Sequence, residues 1–140
     1  MRRLWLSLFL WLLSLTTWAQ FGNEWVLPGQ EYFKIPTGRH AVYRLTYEKL
    51  QSAGFPVTSV NPEQIQVYHR GLQQAILVTG DQDGTFDPGD FIEFYGRRND
   101  GTLDRSLYEP VTAQPHPYTN IFSDSTAFFL TIGSSSGLRM

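Results

Sequence analysis

The sequence predicts a mainly β domain, an antiparallel β-sandwich or partly open barrel with one short helix. Two observations lead to this prediction. Several short segments alternate apolar with polar residues, and clusters of Gly, Pro, Asn and Asp separate them. Aromatic residues make up 15% of the chain, and together with the frequent turn residues they favour short pleated strands over long helices.

Six segments have the alternation or the β-branched and aromatic residues expected of strands. They are residues 31–35, 41–47, 65–69, 72–80, 90–96 and 125–133. Large residues lie on both sides of the segment 90–96, so it is expected to be covered on both faces. A short helix is predicted at residues 47–54, because YEKLQSAG combines helix formers with a glycine stop and Pro56 follows.

The first 19 residues have the three-part form of a secretory signal peptide. Arg2 and Arg3 precede an apolar stretch at residues 4–15, and small and polar residues follow up to a cleavage position after Ala19. The apolar stretch is shorter than the ~20 residues that a membrane-spanning helix needs. We therefore expect an exported protein, in the periplasm, on the outer membrane surface or outside the cell, whose mature chain begins at Gln20.

The predicted mature chain is acidic and contains no cysteine. Without residues 1–19 it has 9 basic and 13 acidic residues, a net charge near −4 with His neutral. Phosphate binding requires clustered Lys and Arg, so nucleic acid is not expected as a partner. The absence of cysteine excludes a cysteine nucleophile, a thiolate metal site and disulfides within this chain, so the fold must depend on its apolar core.

Residues 20–133 are predicted to form one β-rich domain. The last predicted strand ends at Gly133, and the following SSSGLRM has the composition of a flexible connector. We expect residues 134–140 to begin a linker in a longer chain. The alternative is a frayed tail.

The most distinctive stretch is GDQDGTFDPGD at residues 80–90, between the fourth and fifth predicted strands. If Gly84 is the sixth residue of a twelve-residue calcium loop, Thr79 is the first and oxygen ligands fall at alternate positions. These ligands are Asp81, Asp83, the Thr85 carbonyl, Asp87 and Asp90. Phe86 would then point into the core. Strand-like segments flank this loop, whereas helices flank the usual calcium loop.

The alternative for the same stretch is a long connection whose aspartates cap turns and stay in solvent. Asp83-Gly84 and Pro88-Gly89 would then form two successive turns. The stretch is longer than an ordinary hairpin loop of roughly 2–5 residues, which keeps the calcium hypothesis open. Neither interpretation makes the loop catalytic.

Other candidate residues do not form a catalytic set. His40, His69 and His116 are not at metal-ligand spacings from one another and are expected to be surface or packing residues. Glu93 is expected to pair with an arginine such as Arg97. No nucleophile, base and orienting group can be assembled, so no catalytic residue is predicted in these 140 residues.

Three stretches of the chain carry a resemblance to a known family: YRLTYEKLQSAGFP at 43–56, DGTFDPGDFIEFYG at 83–96 and DSTAFFLTIG at 124–133. With the sequence around them, nearly the whole mature chain resembles the N-terminal region of the gingipain-type cysteine peptidase family. This family includes the sortase-like transpeptidase of the Bacteroidetes type IX secretion system. The resemblance implies a β-rich pro-segment or accessory domain in front of a peptidase-like domain.

In that family a His–Cys pair in the following domain performs the chemistry, so the resemblance places the pair beyond residue 140. It implies a noncatalytic domain that supports or regulates its own C-terminal domain and also contacts other secretion-system or cell-surface proteins. The full-length protein is expected to be a cysteine peptidase, a transpeptidase or an inactive relative. The alternative function is a free-standing cell-surface module that binds glycans or proteins.

Overall fold

The computed structural model describes residues 23–140, which form a sandwich of two antiparallel sheets. The first sheet contains, in spatial order, β1 (Phe33–Thr37), β7 (Thr126–Ile132), β3 (Ile65–His69) and β4 (Leu72–Gln74). The second contains β2 (Ala41–Thr46), β6 (Phe91–Gly96) and β5 (Leu77–Val78). The mainly β fold is confirmed, and of the two predicted architectures it is the sandwich, because the sheets do not close into a barrel. The predicted signal peptide lies outside the described residues.

The predicted helix is present as α1 (Tyr47–Ser52). Thr46 caps its start, with its hydroxyl oxygen accepting a hydrogen bond from the Lys49 N–H at 3.4 Å. Gly54 follows with a φ of +83°, a left-handed conformation that ends helices and favours glycine. Tyr47 and Leu50 are buried, so the helix contributes one apolar face to the core.

The core lies between the two sheets and is filled by alternate residues of their strands. Phe94 of β6 and Phe128 of β7 are fully buried, with ring centroids 5.0 Å apart. Aliphatic side chains surround them, namely Ile65, Val67, Ile76, Val78, Ile92 and Leu130. Each such side chain contributes about 1.5–3 kcal/mol when it is fully buried. This burial replaces the disulfides that the chain lacks.

The outer face of the first sheet is covered by the N-terminal segment. Trp25 stacks on Tyr68 of β3, with ring centroids 5.3 Å apart and an interplanar angle of 23°. It also contacts Phe129 of β7 at 5.3 Å and meets Tyr32 edge to face. The segment before β1 is therefore anchored on the sheet by aromatic packing.

The outer face of the second sheet is open to solvent. Ile92 and Phe94 of β6 point into the core, whereas Tyr95 is 51% exposed and Val42, opposite it on β2, is 63% exposed. The prediction that residues 90–96 are covered on both faces is therefore wrong. The strand is buried on one face only, as in other sandwiches with a solvated outer face.

The prediction of one strand at residues 72–80 is also wrong, because the chain changes sheets within it. β4 pairs with β3 in the first sheet, whereas β5 pairs with β6 in the second. Ile76 lies between them and is fully buried. The Ile76 backbone belongs to neither sheet and hydrogen-bonds to the C-terminal segment instead. The Ile76 N–H donates to the Leu138 carbonyl, and the Ile76 carbonyl accepts from the Met140 N–H, both at 3.1 Å.

Residues 134–140 run along the domain. Arg139 donates hydrogen bonds from its guanidinium to the carbonyls of Pro62 at 2.7 Å, Glu63 at 2.8 Å and Ile65 at 3.1 Å. The Gly137 N–H donates to the same Glu63 carbonyl. The segment is therefore tied to the domain, unlike the flexible connector that its composition predicts, and its role as the start of a linker stays a prediction.

Candidate docking surface and the acidic loop

Two long irregular connections precede and follow β6. The acidic loop (residues 79–90) joins β5 to β6, and the β6–β7 connection (residues 97–125) crosses from the second sheet to the first. The acidic loop contains every residue of the predicted calcium site. The β6–β7 connection contains six of the fourteen large apolar side chains of the described residues that are exposed to solvent, among them the two most exposed, Tyr118 and Phe122.

At the tip of the acidic loop, carboxylates hold the turns of the backbone. Asp83 Oδ1 accepts a hydrogen bond from the Thr85 N–H at 3.0 Å. The Thr85 hydroxyl lies 3.0 Å from the same oxygen and 2.7 Å from Asp87 Oδ2. The backbone N–H and the hydroxyl of Thr85 stabilise the charged carboxylate and hold the pKa of Asp83 below its usual value.

At the base of the loop, hydrogen bonds fix its entry into β6. Asp90 Oδ2 accepts from the Asp87 N–H at 2.8 Å, and the Asp90 N–H donates to the Asp87 carbonyl at 2.9 Å. Thr79 Oγ1 accepts from the Phe91 N–H at 2.7 Å. Asp81 lies 4.0 Å from the Arg139 guanidinium, which joins the loop to the C-terminal segment.

The centre of the acidic loop is anchored by an apolar residue. Phe86 is only 3% exposed, and its ring stacks on that of Tyr47 with centroids 6.0 Å apart. The prediction that Phe86 points into the core is confirmed.

The carboxylates predicted to bind calcium are not grouped as a metal site in this loop. Among residues 23–140, no three His, Cys, Asp or Glu side chains are grouped so that they could hold a metal ion. Asp83 and Asp87 instead contact the Thr85 hydroxyl, Asp90 accepts from the Asp87 N–H, and Asp81 lies near Arg139. This arrangement is that of a structural turn, and calcium binding stays a prediction.

A buried carboxylate orders the β6–β7 connection. Asp104 is 3% exposed, and its two oxygens accept from the Asn120 side-chain amide at 2.6 Å and from the Ile121 N–H at 2.9 Å. Asn120 Oδ1 in turn accepts from the N–H groups of Phe122 and Ser123, each at 2.9 Å. The two polar side chains together fix the backbone at residues 120–123.

A close backbone approach fixes the other end of the same network. The Gly101 N–H donates to the Pro117 carbonyl at 3.1 Å, and the Gly101 carbonyl accepts from the Gln114 side chain at 2.7 Å. A Cβ at this position would lie 2.6 Å from the His116 carbonyl oxygen. Only glycine fits here without a shift of the backbone.

The ordered connection presents apolar side chains to solvent. Tyr118 and Phe122 are 83% and 79% exposed. Five large apolar side chains of the connection are more than half exposed, and we call them the apolar platform: Leu103, Leu107, Tyr118, Ile121 and Phe122. The hydrogen bond from the Ile121 N–H to Asp104 brings the segment of Leu103 beside that of Ile121 and Phe122. Exposed apolar side chains that lie together mark interaction sites in soluble proteins.

The remaining candidates are structural. His69 stacks on Phe128 with centroids 4.2 Å apart, and burial, followed by the nearby charges of Arg70 and Arg97, lowers its pKa. His40 and His116 are exposed. Glu93 pairs at 2.7 Å with Arg44 rather than with Arg97, because Arg44 lies directly opposite it on β2.

The fold and the site define a β-sandwich domain with a candidate protein-docking surface. No protein-family model, curated protein or solved structure matches the chain. None of the helices within residues 23–140 has the length and apolar character needed to cross a membrane.

Proposed function

We propose that this chain is the noncatalytic N-terminal pro- or accessory domain of an exported gingipain-like or sortase-like protein. It docks through the apolar platform on the peptidase-like domain of the same protein and supports or regulates it. Export, predicted from residues 1–19, and the resemblance to the family are part of this proposal. The observation that carries it is the apolar platform, whose side chains are solvent-exposed while their backbone is held in place.

The chemistry of the described residues supports a binding role over a catalytic one. The β6–β7 connection has one buried carboxylate, that of Asp104. Both of its oxygens already accept hydrogen bonds, one from the Asn120 amide and one from the Ile121 N–H. The acidic loop uses its carboxylates on its own backbone or near Arg139. The acidic loop does place the Thr85 hydroxyl 2.7 Å from the Asp87 carboxylate, but no other side chain of the described residues orients that carboxylate as a base, which a catalytic nucleophile would require.

The energetics of the platform also support docking. Large apolar side chains in water gain about 25 cal/mol for each Å² that a partner covers. Because the Asp104 and Asn120 network already orders the backbone that carries Ile121 and Phe122, docking costs less conformational entropy than it would for a mobile loop. An aromatic pair such as Tyr118 and Phe122 has the chemistry of an interface anchor.

The test compares the full-length gene product with this domain alone by amide hydrogen exchange. Docking predicts that residues 118–122 are protected in the full-length protein and that the protection is lost in the double variant Tyr118→Ser with Phe122→Ser. The matched control is Val42→Ser with Tyr95→Ser, which removes two similarly exposed apolar side chains from the second sheet and should leave the protection unchanged. Equal exchange at residues 118–122 in the full-length protein and in the domain alone would contradict the proposal.

A further inference from the structure

A groove of ≈ 690 Å³ crosses the outer face of the first sheet. Pro36 of β1 and Ala127 and Phe129 of β7 line it from the sheet, and Trp25 borders it on the side of the N-terminal segment. Leu103 and neighbouring polar residues of the β6–β7 connection border the other side. Its volume is in the range of ligand-binding clefts.

The charge of the groove is opposite to that of the protein. The chain carries 13 acidic residues against 11 basic ones, yet the only charged residues that line the groove are Lys34 and Arg70. Within residues 23–140, the Lys34 ammonium makes neither a hydrogen bond nor an ion pair. Arg70 lies 3.9 Å from Asp100, which compensates part of its charge. The groove is therefore complementary to a negatively charged ligand.

Most polar groups that line the groove already form hydrogen bonds with other groups of the protein. The Asn99 amide donates to the Ser123 carbonyl at 2.9 Å, and its oxygen accepts from Arg70 at 2.9 Å. The Thr126 hydroxyl lies 3.2 Å from the His69 ring nitrogen. A saccharide needs many directional hydrogen bonds, and few donors and acceptors are left for it here. Apolar packing and positive charge are what the groove offers.

We infer that this groove binds an extended peptide segment of a partner protein that combines acidic with apolar side chains. Trp25 and Phe129 pack against an apolar side chain, and the Lys34 ammonium pairs with a carboxylate. The inference goes beyond the proposed docking, since Leu103 is the one member of the apolar platform that borders the groove. The groove is a second partner surface, and it lies on the face of strands β1 and β7 that points away from the core.

Trp25 provides a direct signal for the test. It is one of four tryptophans, and the other three, at positions 5, 11 and 18, lie within the predicted signal peptide. The mature protein from Gln20 therefore has Trp25 as its single tryptophan. The probe is a capped peptide that alternates glutamate and leucine, titrated against the mature protein by fluorescence and by calorimetry. We expect a saturable change in Trp25 emission.

Two comparisons locate the site and its charge preference. Lys34→Gln should weaken binding about fivefold to tenfold, the usual loss for one charge-assisted contact at a partly exposed site. Lys49→Gln, an equally conservative change on α1 outside the groove, should leave affinity unchanged. The matched peptide with lysine in place of glutamate should bind at least about tenfold more weakly. Thermal unfolding of both variants checks that they remain folded.

Three results would overturn the inference. They are the absence of saturable binding of the glutamate–leucine peptide, equal binding of the lysine peptide, and binding that Lys34→Gln does not weaken. An acidic oligosaccharide that binds with dependence on Lys34, while the peptide does not bind, would also overturn it and favour a glycan site. Each of these outcomes leaves the hydrogen-exchange test of the apolar platform unaffected.

Discussion

The acidic loop and the β6–β7 connection are attached to the two ends of the same strand, yet they place polar and apolar groups in opposite ways. The acidic loop keeps Asp83 and Asp87 at the surface and buries Phe86 in the core. The β6–β7 connection buries Asp104 and exposes Tyr118 and Phe122. Both rely on aspartate to hold irregular backbone.

This difference separates a structural connection from the surface that we propose for docking. The acidic loop follows the usual rule that apolar groups are buried and charges are solvated, so each of its features stabilises the domain. The β6–β7 connection reverses the rule at a cost, because a buried carboxylate loses hydration and exposed aromatic rings gain nothing in the isolated domain. Such a cost is expected where the surface is covered by a partner.

The largest expected effect comes from the apolar anchor of the acidic loop. Phe86→Ala should lower the free energy of unfolding by about 3–5 kcal/mol, because it removes a buried aromatic side chain and leaves a cavity beside Tyr47. Urea unfolding of the mature protein measures this. Phe122→Ala, the same change at an exposed ring of the platform, should alter stability by less than about 0.5 kcal/mol. Similar losses for both variants would remove the contrast between the two connections.

The buried carboxylate of the β6–β7 connection should give the next largest effect. Asp104→Ala leaves the partly buried Asn120 amide and the Ile121 N–H without their acceptor and empties a buried position, and should cost about 2–3 kcal/mol in the same assay. Asp124→Ala, which removes an exposed carboxylate paired with Arg98, should cost no more than about 1 kcal/mol. If Asp104→Ala is as mild as Asp124→Ala, the connection is not held by this network.

A smaller effect concerns the exposed aspartates of the acidic loop. Hydrogen bonds from Thr85 lower the pKa of Asp83 below its ordinary value of 3.8. A lowered folded-state pKa means that the stabilisation is present above the unfolded-state pKa, near 3.8, and is lost as the pH falls through the folded value. Carboxyl NMR titration should find Asp83 below 3.8, and Thr85→Val should move it upward. An unchanged titration in Thr85→Val would show that the Thr85 hydroxyl does not contribute, and would leave the Thr85 N–H, which the variant keeps, as the cause.

The smallest expected effect is that of calcium on thermal stability. Because the loop carboxylates accept hydrogen bonds within the loop and no three of them are grouped to hold an ion, the thermal midpoint of the mature protein should be the same in excess EDTA and in millimolar calcium, within about 1 °C. An ion bound only to the folded state would stabilise it by mass action. A rise of several degrees, abolished by Asp83→Asn with Asp90→Asn, would establish the calcium site and reverse this interpretation of the loop.

The parts of the fold that local patterns govern could be predicted well. The strand at residues 65–69 has the predicted bounds, and the helix starts at the predicted Tyr47 and ends two residues before the glycine stop. The inward position of Phe86 was predicted from its place as the eighth residue of the calcium-loop alignment, and the side chain is buried. By contrast, Asp104 and Asn120 are 16 positions apart in an irregular segment, and no spacing rule connects them.

The sequence by itself determined the mainly β fold, the short helix and the dependence on an apolar core without disulfides, because periodicity, capping and composition act over a few neighbouring residues. Only the tertiary structure decided that residues 72–80 divide between two sheets, that residues 134–140 return to the domain through Arg139, and which aromatic side chains stay exposed. Each of these depends on contacts between segments far apart in the chain. Whether an apolar side chain is buried or exposed depends on which distant segment packs over it. The residues next to it in the sequence do not specify that packing.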